Sequence, residues 1–191
     1  IGTITEETDT PPPNSTVSTD LDHTSGTVTF TDADLSDTHQ VTVTGVAASG
    51  VVTGLADHDT VMGWLTLGTL TDTMGTGLDG AQPWSFSAED QNFDYLAAGE
   101  KLTLTYTVQV DDGNGGVVSQ DVVITVTGTN DTPVITSDAL DETRAITEEF
   151  STPQPNPTGS TDLDKACGAV TFGDVDLSDH HQVTVTGVVA S

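Results

Sequence analysis

The sequence predicts an all-β protein: a Greek-key β-sandwich followed by the opening part of a second one. Three observations lead there. Apolar residues alternate with threonines at period two over several runs, as half-buried antiparallel strands do. The runs are separated by Gly, Asp, Asn and Pro, which supply turn geometry. The pattern then starts again in the last third of the chain.

Taken in order, "GTVTF" (26–30) points Val28 and Phe30 inward, and "HQVTVTG" (39–45) does the same with Val41 and Val43. "MGWLTLG" (62–68) and "PWSFS" (83–87) are two shorter aromatic runs, and Trp64, Trp84, Phe86 and Tyr106 read as core by their strand phase. "DYLAAGEK" (94–101) allows at most one helical turn. "KLTLTYTVQV" (101–110) alternates strictly, with Leu102, Leu104, Tyr106, Val108 and Val110 on one face. "DVVITVTGT" (121–129) places Val122, Ile124 and Val126 inward. The proline-rich "TDTPPPNSTVSTD" (8–20) reads as a loop or edge excursion, because prolines donate no ladder hydrogen bond. About seven Thr- and Val-rich strands in roughly 130 residues suit a sandwich of immunoglobulin or cadherin type.

Among 191 residues there are 30 acidic and three basic ones (Lys101, Arg144, Lys165), for a formal charge of −27. That balance excludes a nucleic-acid binder and an anionic-membrane binder, since both need positive patches. It favours cations. No apolar run approaches the ~20 residues of a membrane span, so direct membrane insertion is not expected. The single cysteine, Cys167, makes no internal disulfide, which leaves the core and bound metal to stabilise the fold.

Two long stretches recur without a gap. "ITEETDTPPPNSTVSTDLD" from Ile4 matches "ITEEFSTPQPNPTGSTDLD" from Ile146. "VTFTDADLSDTHQVTVTGV" from Val28 matches "VTFGDVDLSDHHQVTVTGV" from Val170. A repeat on the order of 140 residues suits one domain per unit rather than a solenoid of small motifs. The expected division is a sandwich over 1–132 and the N-terminal part of a second, truncated copy over 133–191. Either the fragment is cut from a longer array, or neighbouring subunits complete the second unit by strand exchange.

The acids cluster. Asp32 and Asp34 of "DADLSD" share the inward phase of Val28 and Phe30, as do Asp174 and Asp176 of the later copy. Unpaired buried charge is costly, so these carboxylates belong past the sandwich rim or beside a cation. "DDGNGG" (111–116) reads as a hairpin turn, or as a ligand loop in which Asp111 and Asp112 meet Asp32 and Asp34 at one end. Asn130 and Asp131 lie in the linker "TGTNDTP" (127–133), which must pass the acidic end of the next unit. Glu6, Glu7 and Glu100 are expected at the lower end of the first unit, facing that junction. Calcium takes six to eight carboxylate and carbonyl oxygens in loose geometry, so these residues suit Ca2+. The pattern is not an EF-hand, because Val43 stands where the loop's last glutamate belongs.

"FTDADLSDTHQVTV", "LAAGEKLTLTYTVQVDDGNGG" and "VTGTNDTPVIT" resemble the VCBS repeat, a cadherin-like module of giant bacterial surface proteins. The resemblance implies tandem sandwiches with calcium at their junctions, export by a type I system, an extracellular place on the bacterial cell surface, and a role in adhesion or biofilm. It also implies a junction ion held by Glu6 or Glu7, by Asn130 with Asp131, and by Asp174 with Asp176.

Three functional classes follow. The first is a non-catalytic, calcium-stiffened extender whose partners are neighbouring repeats. The second is a filament subunit completed by strand exchange. The third is a ligand-binding adhesin module that contacts host or matrix glycans. An enzyme is not expected: His39, His58, His180 and His181 stand beside or near Asp, but no nucleophile elbow, zinc-protease motif or paired cysteine accompanies them.

Overall fold

In the computed structural model, described over residues 1–8, 20–74, 78–137, 146 and 166–188, the alternating runs become two facing sheets. The strands are β1 (Gly2–Thr5), β2 (Leu21–Phe30), β3 (Gln40–Gly50), β4 (Leu65–Leu67), β5 (Gly80–Glu89), β6 (Lys101–Asp111) and β7 (Val117–Thr127). One sheet has the order β1-β7-β6-β3 and the other β2-β5-β4. β1 runs parallel to β7, with Gly2 opposite Ile124, while the other pairs are antiparallel.

The threonine–apolar alternation puts Leu102, Leu104, Tyr106 and Val108 of β6 fully inside, with Val122, Ile124 and Val126 of β7 beside them. Trp64, Trp84 and Phe86 come from the opposite sheet and its approach, as their phase requires. Trp64 packs edge-on against Phe93 at 5.4 Å and Phe86 at 6.1 Å, and Phe86 meets Tyr106 at 6.2 Å. The Tyr106 hydroxyl donates 2.7 Å to the Val61 carbonyl, so the ring is buried without stranding its polar tip. Val61 belongs to a short helix, α1 (His58–Gly63), capped by Asp57, whose carboxylate accepts from the amides of Asp59 and Thr60. Phe93 and Leu96 are fully buried in the turns that lead from β5 to β6.

The second segment is slight. β8 (Val134–Ile135) pairs antiparallel with β9 (Phe172–Gly173). The octet "HQVTVTGV" occurs twice. In the first copy its Gln40 to Val46 portion lies in β3, paired with β6. In the second copy Val183, Val185 and Val188 are outside any strand and 69%, 92% and 95% exposed. Among the described residues no strand pairs with that second copy. Strand formation here follows the partner rather than the local sequence. The proline-rich stretch from 9 to 19 lies outside the described residues, as do its later counterpart and Asn14.

Candidate metal centre

β5 ends at Glu89 opposite Leu21, β7 ends at Thr127, and β1 ends at Thr5 beside it, so three chain exits meet at one end of the sandwich. Each brings an acid. Glu6 follows β1, and its amide donates to the Thr127 carbonyl at 3.0 Å. Asp90 opens a 3₁₀ turn (Asp90–Asn92) after β5, and Asp94 comes one turn later. The linker leaves β7 through Gly128, which is enclosed so closely that a Cβ would lie 2.0 Å from the Leu96 carbonyl oxygen. Beyond Gly128, Thr129 and Asp131 are directed back into the same end.

One carboxylate oxygen each from Glu6, Asp90 and Asp94 lie within 4.8 Å of one another. Glu6 is 2% exposed, Asp90 1%, Asp131 0% and Asp176 3%. Glu6 is held by one oxygen only: Oε2 accepts from the amide and hydroxyl of Thr129 at 2.7 and 2.8 Å. Its Oε1 is buried and accepts no hydrogen bond, as is also true of Oδ1 of Asp176 and Oδ2 of Asp22. Buried polar atoms are normally satisfied, so three such carboxylate oxygens at one domain end could hold an electropositive ligand or a proton.

Burial and like charge act on the same groups. Burial, ahead of repulsion from Asp131 and Asp90, pushes the Glu6 carboxyl up to about 7 despite the opposing bonds from Thr129. Burial and the nearby Asp90 and Glu7 carboxylates push Asp22 up to about 7. Asp176 is also raised, chiefly by burial, with Asp179, Asp174 and Glu100 adding repulsion. No lysine or arginine forms an ion pair here among the described residues; the ion pairs seen all involve histidine.

The later copy of the acidic motif docks against this end. The Asp131 amide donates 2.8 Å to Oδ2 of Asp176, and the Leu177 amide lies 3.4 Å from the Tyr95 carbonyl. Asp174 takes the His181 Nε2 at 2.7 Å on Oδ2 and the Asp176 amide on Oδ1. Asp131 is thus tied to Asp176 and Asp176 to Asp174, while Asp131 lies close enough to Glu6 to repel it. Glu100 adds charge, and its Oε2 accepts from the Ala97 amide. Asn130 is exposed, with its side-chain amide turned to the Asp131 carbonyl. Glu7 is exposed and contributes its amide, which donates to Asp90 Oδ1 at 3.0 Å. Sequence reasoning missed Asp22, Asp90 and Asp94. The signal was available for the last two, since "DQNFD" places two acids four apart directly after a strand that ends at this rim.

The opposite end is different. Oxygens of Asp32, Asp37 and Asp112 lie within 4.8 Å of one another, so the ends of β2 and β6 do converge as expected. Asp34 and Asp111 stand outside that group, and Asp37 takes their place. These acids are already engaged. Asp111 Oδ1 accepts from Gly113, and Asp112 Oδ1 from Asn114 and Gly116, which is hairpin chemistry. Asp32 accepts the Asp34 amide and the His39 Nε2, while His39 Nδ1 meets Asp72 at 2.7 Å. Burial opposes protonation of His39, yet Asp72 and Asp32 outweigh it and raise its pKa.

Both acidic groups have the composition of a hard-cation site, and the junction also has the unsatisfied oxygens. No family model matches the chain, and no curated protein matches it. No described helix is long and apolar enough to cross a membrane.

Proposed function

We propose that the protein is a calcium-stiffened extender: a non-catalytic, extracellular module of a bacterial surface adhesin or biofilm protein, of the VCBS type. The observation that carries this reading is the buried, unbonded Oε1 of Glu6 at the point where the linker's Asp131 is tied to Asp176. A divalent cation there would take oxygens from Glu6, Asp90 and Asp94, with Asp131 beside Glu6 and tied in turn to Asp176. All the donors are oxygen, which suits calcium over zinc or copper. Bound charge at that place cancels repulsion between the base of the first sandwich and the rim of the next segment. The joint then becomes rigid, and an array of such units projects from the surface.

Small-angle scattering on the whole chain tests this. With calcium, the maximum dimension is expected to be single-valued. With EGTA, the interdomain correlation blurs and the ensemble broadens. An identical scattering profile in both conditions removes calcium from the joint.

A filament reading draws on one separate observation, the exposed Val183, Val185 and Val188 of the second segment. Strands from a neighbouring subunit would cover them. Concentration-dependent sedimentation separates this from the extender, which stays monomeric.

A further inference from the structure

The two copies of the acidic motif fold alike in detail. In the first, the Asp34 amide bonds Asp32 Oδ1 at 2.8 Å, the Asp37 amide bonds the Asp34 carbonyl at 3.1 Å, and His39 Nε2 bonds Asp32 Oδ2. In the second, Asp176, Asp179 and His181 repeat those bonds on Asp174 and Asp176. The Phe30–His39 rings lie 4.8 Å apart at 52°, and the Phe172–His181 rings 4.9 Å apart at 51°. What differs is what lies beside them. In the second copy an extended segment runs along the strand: Val134 pairs Gly173, Ile135 pairs Phe172, and the Thr136 amide donates 2.8 Å to the Thr171 carbonyl. Asp176, which accepts the Asp131 amide, is buried, whereas its counterpart Asp34 is exposed.

The same flank of the first copy is an open trough. Among the described residues β2 pairs only with β5, and no ladder is seen on its other edge. β1 covers β7 only from Ile124 onward, so among the described residues nothing pairs with the outer edge of 117–123. Between these two edges, adjoining hollows run from Ile1 past Thr27 and Val28 to Phe30 and Val118, and end at Asp32 and Asp112. Val117 and Val118 stand 50% and 61% exposed along it.

We propose that this trough is a strand-docking site whose occupant is an extended linker segment of another repeat unit, with the sequence character of Asn-Asp-Thr-Pro-Val-Ile-Thr. By the register of the second copy, its isoleucine sits opposite Phe30, its valine opposite Thr31, and the following amide donates to the Thr29 carbonyl. Edge hydrogen bonds supply affinity and the alternating side chains supply register, as in other strand additions. The linker's aspartate arrives at Asp34 as Asp131 arrives at Asp176. The docked strand therefore closes an exposed edge and sets the approach of the unit that carries it. The hydrogen bonds involve backbone atoms, so docking does not require the cation.

The test adds a synthetic peptide of residues 130–137 (NDTPVITS) to the intact 191-residue chain, once in EGTA and once in calcium, and follows backbone amide shifts. The expected result is saturable shifts at Thr29, Thr31 and Val118, with little change in β3 or β4. The same peptide N-methylated at Thr136 loses the donor and is expected to bind at least tenfold more weakly. So is the unmodified peptide against Val118→Asp, an exposed position where the fold tolerates the change. Self-association of the peptide-free chain through the same residues would identify a second copy as the supplier and support the site. No shift at millimolar peptide, equal binding of the N-methylated peptide, or shifts confined to 171–173 would overturn it. Docking in EGTA with no calcium response separates this inference from the calcium reading, since either can fail alone.

Discussion

The amide of Asp131 donates 2.8 Å to the carboxylate of Asp176, across 45 residues of sequence and with both side chains buried. This bond joins the linker to the second acidic motif. It leaves Asp176 Oδ1 unsatisfied, and Glu6, which Asp131 repels, also lacks a partner on one oxygen. The energetics of the joint follow from those two orphaned atoms.

Without metal, the raised carboxyls make the fold prefer acid. Glu6 titrates at about 7 in the fold against 4.5 unfolded, and Asp22 at about 7 against 3.8. The folded state therefore holds more protons than the unfolded state between about pH 4 and 7, and stability falls as pH rises through that window. In EGTA, the melting temperature is expected to be lower at pH 7.5 than at pH 5. Calcium should abolish or invert that slope, because it replaces the protons. Calorimetry at the two pH values, with and without calcium, reads this directly.

Glu6→Gln separates metal binding from metal-free stability. Glutamine keeps an acceptor for Thr129 but carries no charge to bury. In EGTA at pH 7.5 the variant is expected to be more stable than the parent by about 1–3 kcal/mol, from the pKa displacement it removes. In calcium the order reverses, because a ligand has gone. Chemical denaturation in both buffers checks the crossing.

Thr129 acts through Glu6. Its amide and hydroxyl fix Oε2 and so aim Oε1 inward. Thr129→Val keeps the shape and the amide but removes the hydroxyl donor. Calcium affinity by calorimetric titration should drop about tenfold, the usual cost of losing an orienting partner. Metal-free melting should also fall, by the loss of one hydrogen bond to a buried carboxyl, but Glu6→Gln and Thr129→Val should then differ in their calcium response.

Gly128 sets the path of the linker. With the Leu96 carbonyl in the place a Cβ would take, Gly128→Ala has to displace the backbone just before Thr129 and Asp131. Stability is expected to fall by about 1–3 kcal/mol, as overpacking commonly costs. The Asp131–Asp176 contact should loosen with it, seen as faster hydrogen exchange at the Asp131 amide.

Much of the sandwich was legible because its strands alternate without interruption. Leu102 to Val110 and Val122 to Val126 bury in the predicted phase. The limit of that logic is the repeated octet, a strand where β6 lies beside it and unpaired where no such partner is described. Periodicity states which face is apolar, not whether a neighbour exists. The contact between the linker and the D-x-D motif was legible, because the spacing within each is local. Asp90 and Asp94 were not found, because their meeting with Glu6 depends on strand ends that only the sheet order brings together, and Asp22 was not found because it meets Asp90 in the same way. Asp34 and Asp111 were expected in the opposite group and lie outside it. Turn geometry commits Asp111 to the Gly113 amide, while the tight turn that follows β2 brings in Asp37 instead.

The most direct test is anomalous diffraction from crystals of the intact chain grown with calcium. A cation peak is expected at the junction, within about 2.3–2.6 Å of Glu6 Oε1 and of at least one oxygen of Asp90 or Asp94. Full-occupancy data with an empty junction, or with density only beside Asp32, Asp37 and Asp112, would contradict the account.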